Sequence, residues 1–273
     1  MPLNVNANLN SLIAASNLGK NEALVQRSIG RLSSGLRIYS AADDAAGLSI
    51  SEKMRARLKS LTQAQRNAND GISFSNSADG GLREISGMLS RMRELAIQSL
   101  NGMNGTNERN AMNSEFQALK SEIDRIANTT EFNGVVLLNI QSNVAFQVGA
   151  GTGSNHQIQI SKQDANATAL GIDTAAVATT TDATTAVASI DTAINSVNQY
   201  RGAFGAAINR LTATVASLGD TIQATTSAES QVRSLDVAYE SAEFTRLQVL
   251  QQAGAAVLAQ ANQTSQIVLQ LFR

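Results

Sequence analysis

The chain has 273 residues, with 21 basic and 22 acidic side chains and a net charge of -1. It therefore has no electrostatic bias toward nucleic acid or an anionic membrane surface. It contains no Cys, no Trp, one His (His156) and one Pro (Pro2), which excludes a disulfide framework, a thiol nucleophile and a thiolate metal site, and speaks against any Ser-His-Asp or multi-His arrangement.

This composition predicts no catalytic residues, no cofactor and no metal. Scarce Pro and abundant Ala, Leu, Gln, Ser and Asn suit long uninterrupted helices. At the N-terminus, Met1-Pro2-Leu3-Asn4-Val5-Asn6 has neither the basic segment nor the apolar core of a signal peptide, and no window reaches the roughly 18 apolar residues needed to span a bilayer. A first apolar stripe at helical spacing runs Leu18, Val25, Ile29, Leu32 and Leu36. The adjacent Asp43-Asp44 reads as a helix-start or loop pair, because an Asp side chain caps orphan amides. A second stripe is Leu82, Ile85, Leu89, Met92 and Ala96, and a third is Met112, Phe116, Leu119, Ile123 and Ile126. The Asn- and Gly-rich run 101–107 between these two predicts a loop joining antiparallel helices.

After Asn133-Gly134 the period changes. Val144, Phe146 and Val148 alternate with their neighbours, 149–155 is turn-rich, and Gln157-Ile158-Gln159-Ile160 alternates again, which predicts a β-hairpin. Gly149-Ala150-Gly151-Thr152-Gly153 lacks the spacing and the Lys-Ser/Thr pair of a phosphate loop and reads as its turn. From Lys162 to Ile190 the chain is dominated by Ala, Thr and Asp, and reads as a surface segment too poor in large apolar groups to bury a core. The strongest signal follows: Ile194, Val197, Arg201, Phe204, Ile208, Leu211, Val215, Leu218 and Ile222 form a heptad-like stripe broken by Arg201, resumed at Leu247, Leu250, Gly254, Val257, Ala261, Thr264, Val268 and Leu271. Four or five long helices are implied.

Charge placement is the most informative feature. Residues 1–19 and 247–272 contain no charged side chain, although both segments are amphipathic. A solvated helix rarely avoids charge so completely, whereas a crowded, water-poor assembly tolerates amides and hydroxyls far better than unpaired charges. The two ends are therefore expected to pack together and then against copies of themselves, ordering on assembly.

Specific motifs go beyond periodicity. The run Ser28-Ile29-Gly30-Arg31-Leu32-Ser33-Ser34-Gly35-Leu36-Arg37-Ile38, then Asp43-Asp44-Ala45-Ala46-Gly47-Leu48-Ser49-Ile50, then Arg66-Asn67-Ala68-Asn69-Asp70-Gly71-Ile72 and Arg91-Met92-Arg93-Glu94-Leu95-Ala96 resemble the N-terminal signature of bacterial flagellins. Phe244-Thr245-Arg246, Gln252-Ala253-Gly254 and Leu258-Ala259-Gln260-Ala261-Asn262-Gln263 resemble the flagellin C-terminus, with departures at Ser234, Ser241 and Thr264-Ser265. The resemblance implies a mainly α fold of long antiparallel coiled-coil-like helices from both chain ends with a small β-hairpin region. It implies an inner-tube domain from 1–43 and 234–273, an outer-tube domain from 44–161 and 189–233, and a variable surface segment at 162–188.

It implies a structural subunit polymerising into the flagellar filament, extracellular and exported without a cleaved signal peptide. The partners would be itself, an export chaperone, a cap protein and hook-associated proteins, with no nucleic acid and no membrane. A hook-filament junction protein is the alternative. Leu18, Val25, Ile29, Leu32, Leu36, Leu247, Leu250, Val257, Val268 and Leu271 would be the polymerisation seams. Arg91, Leu95 and Glu115 match positions through which flagellins contact the flagellin-sensing Toll-like receptor and neighbouring subunits.

Overall fold

A computed structural model describes the backbone of residues 8–271 and the side chains of 8–263. Among these residues are five α-helices: α1 (Leu9–Ser34), α2 (Ala45–Ser99), α3 (Thr106–Thr129), α4 (Thr180–Arg233) and α5 (Val237–Leu271). Four strands lie between α3 and α4: β1 (Glu131–Phe132), β2 (Val135–Val136), β3 (Asn139–Gln147) and β4 (Gln157–Asp164). The chain divides into two compact units, Met1–Ala56 with Ala224–Arg273, and Arg57–Gln223. These limits fall inside α2 and α4, whereas the division drawn from sequence at 43/44 and 233/234 falls in or beside the connections.

Local chemistry sets the helix ends. Asn8 caps α1 by accepting from the Ser11 amide at 3.1 Å, and Gly35 closes it in the left-handed region at φ 68°. Asp44 stands just before α2 and accepts from the Gly47 amide at 2.8 Å, the helix-start role expected of it. From the first turns of α3, Arg109 donates to the carbonyl of Ser99 (3.0 Å), an acceptor that α2 leaves open at its end, and to that of Asn101 (3.2 Å) in the connecting loop.

The unit Arg57–Gln223 holds the main core. Leu82, Ile85, Leu89, Met92 and Ala96 of α2 are fully buried, packed with Phe116 and Ile123 of α3 and with Ile190, Val197, Phe204 and Leu211 of α4. These four α4 residues recur every seventh position, the spacing that keeps one face of a helix against its neighbours. Arg201 interrupts this stripe without an unpaired charge, because its Nε donates to Asp79 Oδ1 at 2.8 Å. The strands β3 and β4 pair antiparallel with Val144 opposite Ile160 and Phe146 opposite Ile158. Phe74 meets Phe146 and Phe132 edge-on, with ring centroids 5.4 and 6.3 Å apart. This approach needs Gly71, where a Cβ would stand 3.0 Å from Leu211 and 3.3 Å from Phe146.

One sequence expectation fails in this unit. The 162–188 segment is not confined to the surface: Ala165, Ala167, Leu170, Ile172, Val177, Ala183 and Ala186 are buried, and α4 already begins at Thr180. The physical reason lies on α3. Asn113 accepts from the Val177 amide at 3.0 Å, Gln117 donates to the Ala175 carbonyl, Lys120 donates to the Asp173 carbonyl, and Asp124 accepts from the Ala167 amide at 2.7 Å. These four residues lie at helical spacing on one face, so the strap 165–177 runs antiparallel to α3 and is held through its backbone. Ser99 adds a bond to the Val177 carbonyl at 2.7 Å.

Candidate assembly interface

In the unit formed by the two chain ends, α1 and α5 pack antiparallel. Asn8 donates to the Ala261 carbonyl (2.9 Å) and Ser11 to Asn262 (2.8 Å) near one end. Ser28 donates to Glu240 (2.6 Å) near the other. Between them, Gly254 faces Leu18, where an added Cβ would stand at an ordinary contact distance of 3.4 Å.

A polar cluster closes the seam. Glu240 and Ser28 are buried, and Arg31 reaches both Glu240 (3.9 Å) and Asp43 (3.2 Å). Asp43 has a nearly enclosed side chain; burial works to raise its pKa, but bonds from the Ser40 amide and hydroxyl, the Arg31 charge and the Tyr39 amide outweigh it and leave the carboxyl below its ordinary range. Beside it the backbone closes a two-stranded contact: the Arg37 amide donates to the Arg233 carbonyl (2.8 Å) and the Leu235 amide to the Gly35 carbonyl (3.1 Å). Arg233 also pairs with Glu52 at 2.7 Å.

The residues proposed as polymerisation seams do not form one surface. Val25 and Leu247 are buried, while Leu18, Leu32 and Leu36 are half-buried, so these serve contacts within the chain. Ile29, Leu250 and Val257 are exposed, Val257 by 59%. Val268 and Leu271 lie outside the described side chains. The stripes therefore split: residues seven apart, 18, 25 and 32 on α1 with 247, 254 and 261 on α5, turn inward, whereas Ile29, Leu250 and Val257 are left exposed.

The structure also adds apolar residues that the stripes had missed. Leu9 (66% exposed), Leu12 (68%) and Ile13 (53%) are apolar side chains left open on the first turns of α1, and Val249 stands exposed beside Leu250 on α5. Their own three- and four-residue spacing was the available signal, obscured by assigning one apolar stripe to each helix.

The three receptor-contact candidates also separate. On the exposed side of α2, Arg91 pairs with Glu94 (3.0 Å) and across to Glu115 of α3 (2.9 Å). Leu95, one turn further along, is 1% exposed and packs in the core. Its grouping with the other two as a surface contact is corrected accordingly: the side chain is spent on holding α2 against its neighbours.

A cavity of about 400 Å³ in the Arg57–Gln223 unit is lined by Gln63, Asn67, Gln147 and the hairpin turn at 149–152, with no titratable side chain in its walls. Among the described residues no cluster of three or more His, Asp or Glu is placed to hold a metal ion, and no helix is long and apolar enough to cross a membrane.

Residues 5–143 match the bacterial flagellin N-terminal helical region, and 187–272 match its C-terminal helical region. The chain is 44% identical over 270 residues to a flagellin of Halalkalibacterium halodurans, covering 98% of this chain and 99% of the relative. It is 38% identical to a flagellin of Bacillus subtilis, covering 99% and 100%. A Treponema phagedenis protein named flagellar filament 33 kDa core protein is 36% identical, covering 98% and 99%. Among solved structures, Bacillus cereus flagellin superposes with a TM-score of 0.51 at 30% identity over 56% of this chain and 88% of that one. From its terminal helices to its strand-bearing middle, the chain belongs to the bacterial flagellin family.

Proposed function

We propose that this chain is the structural subunit of a bacterial flagellar filament and polymerises through the apolar faces that α1 and α5 leave open. The observation that carries this reading is the combination of Leu9, Leu12, Ile13, Val249, Leu250 and Val257 outside the helix pair with terminal segments free of charge. Each such side chain gains roughly 1.5–3 kcal/mol when fully buried, so stacking the helices of many copies supplies a cooperative driving force. In the filament, 1–43 with 234–273 forms the inner tube and 44–161 with 189–233 the outer one. The names of the relatives support this role, and nothing observed favours a hook-filament junction protein.

The same reading places the subunit outside the cell, exported without a cleaved signal peptide and served by an export chaperone, a cap protein and hook-associated proteins. Arg91 and Glu115 are the proposed contacts for a host Toll-like receptor and for neighbouring subunits, with Leu95 supporting them from beneath.

Deleting residues 1–30 or 245–273 is expected to abolish polymerisation, followed by sedimentation and electron microscopy. The helical signal of the Arg57–Gln223 unit should persist in circular dichroism. Filaments of normal length from either truncated chain would refute the proposal.

A further inference from the structure

Three Asn-Gly pairs occur in the chain, at 101–102, 104–105 and 133–134. In such pairs the glycine amide nitrogen can attack the preceding side-chain carboxamide, because no Cβ obstructs the approach. The surroundings of the three differ sharply.

At Asn101, both reacting groups are supported. The Asn101 Oδ1 accepts from the Met103 amide at 3.1 Å, which draws electron density from Cγ and makes it a better electrophile. The backbone carbonyl of Asn101 accepts from the Arg109 guanidinium (3.2 Å) and from the Asn104 amide (3.2 Å). When the Gly102 nitrogen loses its proton, the charge of that peptide group is shared with this same carbonyl oxygen. Arg109 therefore sits where the anion develops, in the manner of an oxyanion site. Gly102 is exposed, its N–H has no acceptor among the described residues, and a Cβ on it would meet nothing within 4 Å.

The other two pairs are restrained. Asn104 donates its carboxamide to the Gln98 carbonyl at 2.6 Å, and Gly105 is the cap residue of α3. A Cβ on Gly105 would stand 2.7 Å from a Glu108 carboxylate oxygen, so an anion forming there meets like charge. Asn133 (φ 50°) and Gly134 (φ 76°) make the turn between β1 and β2, whose pairing fixes the backbone against the rotation that ring closure needs.

We propose that Asn101 is a selective, self-promoted modification site that converts to aspartate and isoaspartate in the folded protein. A bond forms between the Gly102 nitrogen and Asn101 Cγ, the Cγ–Nδ2 bond breaks, and ammonia departs with the proton equivalent given up by the Gly102 N–H. One water then opens the resulting imide at either carbonyl, giving aspartate or isoaspartate. The loop gains a negative charge beside Arg109.

The test uses the purified full chain incubated at mildly alkaline pH, cut after Glu94 and Glu108 so that one peptide carries both Asn101 and Asn104, with Asn133 followed in its own peptide by mass spectrometry. Conversion should be fastest at Asn101 in the folded chain, and this preference should vanish in denaturant. Arg109→Gln should slow Asn101 by about tenfold, the scale of one charge-assisted hydrogen bond to a developing anion, without slowing Asn104. Gly102→Ala fits the open space and should stop conversion at Asn101 while leaving the circular dichroism unchanged. Equal or faster conversion at Asn104 or Asn133 in the folded wild-type chain would overturn the proposal, as would an Asn101 rate indifferent to both substitutions.

Discussion

Arg91 and Leu95 stand one helical turn apart on α2, yet a substitution at each tests a different thing. Arg91 is exposed, and its pairs with Glu94 and Glu115 are solvated, so its removal costs the fold little. In a receptor-reporter assay on the soluble monomer, Arg91→Ala is expected to lower the response while leaving the melting temperature nearly unchanged. A full response from that variant would remove Arg91 from the contact. Leu95→Ala instead leaves a cavity in the core and is expected to cost about 2–5 kcal/mol, so any signal lost there reports stability rather than recognition. The sequence could not separate the two, because a motif match assigns residues to a region without saying which way each side chain turns.

At the scale of elements, the long helices were legible because their apolar residues repeat at helical spacing: all five of the Leu82–Ala96 stripe are buried. The hairpin was legible because Val144 to Ile160 changes to a period of two and pairs as that alternation requires. The strap 165–177 was not legible. Its large buried side chains are only Leu170, Ile172 and Val177, scattered at no helical or strand period among Ala, Thr and Asp, and the bonds to its backbone leave no trace in hydropathy, while Asn113, Gln117, Lys120 and Asp124 look in sequence like an ordinary solvated face. The assembly surface was half legible, since periodicity shows that a residue is apolar and on a stripe but not whether the partner is the same chain or another. Asn113→Ala should orphan the Val177 amide and speed its hydrogen exchange by roughly tenfold or more, leaving Ala167, held by Asp124, unaffected. Unchanged protection at Val177 would show that the apolar contacts of the strap suffice.

Across the whole molecule, each compact unit contains carboxylates held below their ordinary range, Glu52, Glu243 and Glu122 among them, and each has one that is more enclosed than the rest. In one it is Asp43. In the other it is Asp79, which burial works to raise but which bonds from Arg201 and Arg83 and their charges lower further. A depressed folded-state pKa contributes stability that is complete above the unfolded value, near 3.8, and is lost as pH falls through the folded one. Denaturant midpoints for both units should therefore be flat from neutrality to about pH 5 and fall below about pH 4. Asp79→Asn should flatten the acid-side slope of the Arg57–Gln223 unit specifically. An unaltered slope in that variant would assign the acid sensitivity to other carboxylates.

The α3 face of Asn113, Gln117, Lys120 and Asp124 holds the strap by its backbone. Because it grips amides and carbonyls rather than side chains, Thr168, Ala169, Asp173 and Thr174 of the strap are exposed and outside the recognition. Substitutions at those four positions are therefore expected to leave the strap docked, because the bonds that hold it run from α3 to its backbone.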